Sequence, residues 1–172
     1  MVFGEYFSSI KKEPLNIGNL VYPGKIMGLA SYGNVIEEWL PHFIEFYKSD
    51  PNGSHFGPWD NTGYYDFESK INPLGEKIGV KFDILDRLKD QLQYDVAATS
   101  QRAFEECFLE VVKPYMEQYP DLPIGVAGGC GLNIIFNTRL IKEFGKKVFV
   151  GPGPNDCGIA LGAMLNVLKP QE

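Results

Sequence analysis

A strand, a glycine-rich corner and a helix follow one another twice within the last third of the chain, and no other feature limits the fold as much. Ile124 to Ala127 reads as a buried strand, Gly128-Gly129-Cys130-Gly131 as its corner and Leu132 to Phe144 as the helix after it. Lys147 to Val150 is the second strand, Gly151-Pro152-Gly153-Pro154-Asn155 its corner, and Asp156 to Leu168 the closing helix. Strands joined through a helix at this spacing run parallel, with right-handed crossovers. An α/β fold of this kind holds polar ligands beyond its strand ends. A corner without side chains lets the backbone come close to a phosphate, and the helix start behind it offers unpaired N–H groups and a positive dipole end. A nucleotide or its phosphates fits such a corner.

Composition narrows the partners. With 172 residues, 44% of them hydrophobic, the chain can bury one core of ordinary size. No apolar run reaches the ~20 residues a bilayer crossing needs, so a soluble protein with no membrane partner is expected. Net charge is −6 with lysines and arginines scattered, which argues against nucleic acid as a partner, although a nucleotide pocket needs only one or two cations. The three cysteines, Cys107, Cys130 and Cys157, lack metal-type spacing and fit thiols kept reduced in a cytoplasmic protein. Met1 to Ser9 has neither a basic start nor a long apolar centre, so no signal peptide is read there.

The remaining elements follow from periodicity. Val2 to Ile10 and Leu15 to Tyr22 read as the strands of an N-terminal hairpin joined by Lys11-Lys12-Glu13-Pro14. Pro23-Gly24-Lys25 ends that strand, and Ile26 to Gly33 reads as a short apolar turn. Asn34 is placed as the cap of a helix carrying Val35, Trp39, Phe43 and Phe46. Turn residues crowd positions 48–79, among them Asn72-Pro73, with Tyr64 to Phe67 as a strand. A helix from Asp83 to Leu92 leads into a long one capped by Asp95, whose apolar stripe includes Val96, Ala103, Cys107, Val111 and Tyr115. With no evident linker, a single domain over 1–172 is expected, with a loop-rich insertion at about 48–79.

Four motifs in order resemble the carbamoyltransferases that decorate antibiotics and nodulation factors. They are Gly24-Lys25-Ile26-Met27-Gly28-Leu29-Ala30-Ser31-Tyr32-Gly33; Ala97-Ala98-Thr99-Ser100-Gln101 with Glu105; Ala127-Gly128-Gly129-Cys130-Gly131-Leu132-Asn133 with Asn137; and Pro152 to Ala163. The resemblance implies a ribonuclease-H-like, actin-like and sugar-kinase-like lobe, with a mixed sheet and helices on its faces. It also implies ATP or carbamoyl-adenylate as the nucleotide, and a divalent metal, Fe²⁺ or Mg²⁺. The family's upstream histidine-bearing lobe and its carbamoyl-adenylate-forming domain have no counterpart in these residues. The chain is therefore expected to be the second half of the transfer domain, a fragment or a shortened product, with an incomplete metal site. His42 and His55 match no metal motif of the family.

Each motif residue has a structural reading beside the chemical one. Gly128 and Gly129 are either a tight turn or, as the resemblance implies, the backbone against which base or ribose lies, with Asn133 as a polar contact. Asp156 is an N-cap or, by resemblance, a metal ligand, or both. Lys25 is a solvated turn residue or the cation facing a phosphate or carbamoyl oxygen. Gln101 and Glu105, one helical turn apart, share a surface hydrogen bond or orient ribose or acceptor. Cys130 and Cys157 read as small buried fillers, and Trp59, Tyr64, Tyr65 and Phe67 as a packed hairpin rather than an acceptor platform.

Two functions remain open at this point. In one, the chain forms half of the nucleotide and metal cleft of an enzyme moving a carbamoyl group to a hydroxyl of a small molecule, often a sugar, and is inactive alone. In the other it is a non-catalytic nucleotide-binding or oligomerisation module, its exposed apolar surface producing a homodimer.

Overall fold

The computed structural model describes residues 2–12, 15–49, 67–155 and 158–168. The chain divides into two compact units, residues 1–110 and 111–172.

The first unit is helical. Its core gathers Phe3, Tyr6, Phe7 and Ile10 with Phe43, Ile71, Leu74 and Val96. Phe3 sits among four rings, with centroids 6.5 Å from Phe7, 5.5 Å from Phe43, 5.9 Å from Phe46 and 5.8 Å from Phe82. These residues come from an N-terminal segment that is not a strand. Val2–Tyr6 is a 3-10 helix, and Leu15–Ala30 is an α-helix, α1, so the expected hairpin is absent. Phe3, Tyr6, Phe7 and Ile10 are buried at i, i+3, i+4 and i+7, which is helical spacing, and the apparent alternation came from reading too short a window. Glu13 and Pro14 of the expected turn lie outside the described residues.

The segment is tied down by backbone pairing. Leu88 N–H donates to the Tyr6 carbonyl at 2.7 Å and Ser8 N–H to the Leu88 carbonyl at 2.9 Å. Arg87 Nη2 donates to the Gly4 and Ile10 carbonyls at 3.1 and 2.8 Å. Gly4 permits the fit, since a Cβ there would lie 2.4 Å from the Tyr22 ring.

Three further boundaries differ from expectation. Pro23-Gly24 lies inside α1, where proline costs ~3 kcal/mol in a helix interior. Burial of Tyr22 and Ile26, one turn apart, outweighs that cost, and the turn expected over residues 26–33 shrinks to 31–33. The helix expected from Asn34 begins later, as α2, Leu40–Lys48, with a proline in its first turn. Asn34 caps nothing there; its N–H donates to Asp95 Oδ1 at 2.7 Å. The turn at Asn72-Pro73 is instead the interior of α3, Phe67–Ile78, which buries Ile71, Leu74 and Ile78. This helix closes with Gly79 at φ +70° and Val80 N–H donating to the Gly75 carbonyl at 2.9 Å, a Schellman-type end. Residues 50–66, including most of the expected strand Tyr64 to Phe67, lie outside the described residues.

Helix α4 runs Asp90–Gln118 without the separate helix expected before it; Lys81 to Lys89 is non-helical, and Asp95 is interior rather than a cap. Its stripe is buried at Val96 and Ala103 but exposed at Val111 and Tyr115.

The second unit holds the β-α-β-α pattern as expected. Strands β1, Ile124–Val126, and β2, Val148–Val150, pair in parallel, Ile124 opposite Val148. Between them lies α5, Ile134–Phe144, closed by Gly145 at φ +62°. Helix α6, Ile159–Leu168, follows β2. Among the described residues the sheet has these two strands, so the chain is α/β with helices dominating. No helix among those residues is long and apolar enough to cross a membrane.

Tyr47 joins α2 to α4: its hydroxyl lies 2.6 Å from Ser100 Oγ, and burial pushes the phenol up to about 12, the Ser100 bond offsetting part of the rise. A raised acid favours folding below the unfolded pKa of ~10 and withdraws that favour as pH climbs. Unfolding midpoints should therefore drop between pH 10 and about 12, and Tyr47→Phe should flatten that drop. At neutral pH the variant should lose roughly 1 to 2 kcal/mol in urea titration, because Ser100 keeps a buried hydroxyl without its partner.

Candidate functional site

The corner after β1 takes a path that only glycine accepts readily. Gly128 has φ 80° and ψ 176°, and a 3-10 turn, Gly129–Leu132, follows it. A Cβ on Gly128 or Gly129 would meet nothing within 4 Å, so one side of the turn is open. Gly131 has the opposite surroundings. A Cβ there would lie 3.0 Å from Pro154 Cβ and 3.5 Å from Val150 Cγ1, so the corner after β2 packs directly on the corner after β1. Within the second corner, Gly153 has φ +67°, and a Cβ on Gly158 would lie 2.2 Å from the Gly153 carbonyl oxygen.

The two small-residue corners thus touch. Asp156, proposed from the sequence as metal ligand or cap, lies outside the described residues, as does Cys157.

Asn133 is the N-cap of α5, its Oδ1 accepting from Phe136 N–H at 3.0 Å. Asn137, read only as part of its motif, braces the corner: its Nδ2 donates to the Gly131 carbonyl at 2.8 Å, and its own N–H donates to the Asn133 carbonyl at 3.0 Å. The signal was present as a second asparagine one turn beyond the cap. Cys130, expected as a buried filler, is exposed within the 3-10 turn.

Lys25, Gln101 and Glu105 belong to the first unit. Lys25 is half-buried on α1. Gln101 Nε2 donates to Glu105 Oε1 at 3.0 Å; Glu105 is only 5% exposed and Gln101 half-buried, so the expected bond forms, partly buried rather than at the surface. A buried carboxylate requires hydrogen-bond donors, and Gln101 supplies one. The small residues of the same motif serve packing and loop anchoring: Ala97 and Ala98 are buried, and Thr99 Oγ1 accepts from Ile36 N–H at 3.0 Å.

Burial pushes the Cys107 thiol up, Lys48 offsetting part of the rise, so it is not held as a reactive thiolate. His42 lies on α2 near Glu45, whose carboxyl is held below its ordinary range chiefly by Lys77. His55, Trp59, Tyr64 and Tyr65 lie outside the described residues, and Phe67 opens α3. Among the described residues, no three His, Cys, Asp or Glu side chains gather where they could hold a metal ion.

Alanine at Gly128 should destabilise the chain by ~1–3 kcal/mol through backbone strain alone, since the Cβ itself has room. Asn133→Ala should cost ~1 kcal/mol through the lost cap. Chemical denaturation of the two variants checks both values.

Residues 1–165 match the family described as "Carbamoyltransferase N-terminus". The chain is 30% identical over 170 residues to Nodulation protein U of Sinorhizobium fredii (strain NBRC 101917 / NGR234), an alignment covering 93% of this chain and 29% of that protein. It is 28% identical to Nodulation protein U of Rhizobium tropici, covering 98% of this chain and 30% of that protein. Over 74 residues it is 39% identical to the 3'-hydroxymethylcephem-O-carbamoyltransferase of Amycolatopsis lactamdurans, covering 42% of this chain and 14% of that protein. The chain spans less than a third of the length of the curated relatives it matches. No solved structure matches it. From the strand–glycine corner–helix core to the match over nearly its whole length, this chain belongs to the carbamoyltransferase family.

Proposed function

We propose that this chain contributes part of the nucleotide cleft of an enzyme that moves a carbamoyl group to a hydroxyl of a small molecule. The observation that carries the reading is the family match over residues 1–165, which includes both glycine corners. The activity named for one relative, O-carbamoylation of a 3'-hydroxymethylcephem, supplies the reaction class.

In this reading the nucleotide, ATP or carbamoyl-adenylate, lies against Gly128 and Gly129, whose open side leaves room for a base or ribose. Asn133 shapes the corner from the start of α5, and Asn137 keeps the 3-10 turn from relaxing outward. The family resemblance puts forward Lys25 as the cation for a phosphate or carbamoyl oxygen, and Gln101 with Glu105 as polar groups for the ribose or the acceptor. Catalysis then rests on positioning and charge neutralisation, with no covalent nucleophile drawn from this chain.

A divalent ion, if the family's metal operates here, would polarise phosphate or carbamoyl oxygens. Asp156 is the ligand that the family resemblance offers, and no cluster of three such donors exists among the described residues, so no step is routed through the ion. The surrounding fold is proposed to be ribonuclease-H-like, on the strength of the family resemblance and the parallel β-α-β core. The chain is proposed to act in a cytoplasm, where its thiols stay reduced.

The isolated chain should neither bind ATP tightly nor transfer carbamoyl groups. Calorimetric titration with ATP and Mg²⁺ or Fe²⁺, alone and with the unmatched portion of Nodulation protein U added, tests this. Binding and transfer that appear only in the mixture, and that fall at least 10-fold with Lys25→Ala, support the reading. Transfer by the chain alone, or a Lys25→Ala mixture as active as the original, overturns it.

A further inference from the structure

Among the described residues, three helices carry an interior proline: α1 at Pro23, α3 at Pro73 and α4 at Pro114. A proline inside a helix removes one hydrogen bond and crowds the carbonyl four residues earlier, so burial nearby must offset it. Pro23 has Tyr22 and Ile26 buried beside it, and Pro73 has Ile71 and Leu74. Pro114 has no such support. The last buried residue of α4 is Leu109, and beyond it Val111 is 65% and Tyr115 58% exposed.

The ties of α4 to the rest of the chain change at the same place. Glu110 pairs with Lys48 of α2, both side chains being exposed, and an ion pair of that kind contributes little. Just past the helix end, Lys146 Nζ donates to the Tyr119 carbonyl at 2.7 Å, a tie within the second unit. The division between the compact units falls between Glu110 and Val111. Glu110 is also the residue whose carbonyl would accept from position 114, where proline has no N–H to give. The end of burial, a missing helix bond and the limit of a compact unit thus coincide within one turn.

We infer that the turn of α4 from Glu110 to Pro114 is a joint, which opens locally while residues 90–109 stay helical and packed. A helical turn with no buried side chain is kept closed by its own hydrogen bonds, and short helical stretches held in that way are marginal in water. Segments with exposed backbone bonds and few buried contacts open at the lowest cost. The joint therefore releases residues 111–118 from the cooperative body formed around Val96 and Ala103, which are fully buried. Along the chain, Gln101 and Glu105 precede the joint and both glycine corners follow it. A joint of this kind operates whatever the chain binds, so its test needs no ligand.

Backbone hydrogen exchange on the full chain gives the test. Amides of residues 111–113 and 115–118 should exchange on the order of 10-fold or more faster than those of 96–109, and Pro114→Ala should slow them by about 10-fold or more. Lys113→Ala introduces the same helix-favouring residue one position earlier without restoring a bond, and should change them by roughly 2-fold at most. An endopeptidase that cuts after glutamate supplies a second readout on the same helix. Cleavage after Glu110 and Glu117 should precede cleavage after Glu105 and Glu106, and should slow by about 10-fold or more in Pro114→Ala. The joint is overturned by equal protection of 96–109 and 111–118, by exchange that Pro114→Ala leaves unchanged, by equal slowing in Lys113→Ala, or by cleavage after Glu105 and Glu106 as early as after Glu110.

Discussion

Four polar side chains on the first half of α4 hold the first unit together, and the rest of that unit is arranged around them. Gln93 Oε1 accepts from Ser9 N–H at 3.0 Å, Asp95 Oδ1 from Asn34 N–H at 2.7 Å and Thr99 Oγ1 from Ile36 N–H at 3.0 Å, while Ser100 Oγ meets the Tyr47 hydroxyl at 2.6 Å. The four contacts fix three segments: the N-terminal turn, the loop before α2, held twice, and α2 itself. Backbone N–H groups drawn in from loops must find acceptors, because leaving one unpaired costs more than the bond contributes. Close packing depends on the same stretch. A Cβ on Gly33 would lie 2.0 Å from the Tyr94 carbonyl oxygen, so the loop can reach these acceptors only with glycine there.

This arrangement explains why the second half of the chain was more legible than the first. In β1-α5-β2 every local cue agrees: short apolar strands, a glycine corner, an asparagine cap and a glycine stop, each deciding its own boundary. In the first unit the local cues conflict with the fold. Pro23 and Pro73 each signal a break, yet both sit inside helices whose buried residues, Tyr22 with Ile26 and Ile71 with Leu74, compensate. Asp95 has the chemistry of a cap but serves as a tertiary acceptor, a role that depends on Asn34, which is 61 residues away in sequence. No window of local sequence contains that information. The ring cluster around Phe3 was misread for a simpler reason, because in four or five residues a period of two and a period of 3.6 can place the same side chains inward.

The candidate site divides along the same line. The glycines of the second unit were readable because backbone geometry was their whole contribution: Gly128 needs its φ, and Gly131 needs to lack a Cβ against Pro154. Side-chain roles were less readable. Asn133 was read as a polar contact and Asn137 had no separate role, yet both make scaffold bonds, one capping α5 and the other bracing the corner. That favours a site in which rigid backbone presents the ligand surface and asparagines hold the backbone. A corner that cannot relax presents its open side without ligand-binding energy being spent on ordering it.

The two units also differ in how much core they possess, and this bears on how such a chain works. The first buries a continuous aromatic and aliphatic cluster drawn from its N-terminal turn, four helices and the segment around Phe82. Among the described residues of the second, the buried large apolar side chains are Ile124, Phe136 and Leu140, while α6 leaves its apolar surface in water. Hydrophobic burial contributes ~25 cal/mol per Å², so a unit that leaves a whole helix uncovered forgoes much of the stabilisation its own sequence offers. Regions with few buried contacts open first, and both glycine corners lie in such a unit.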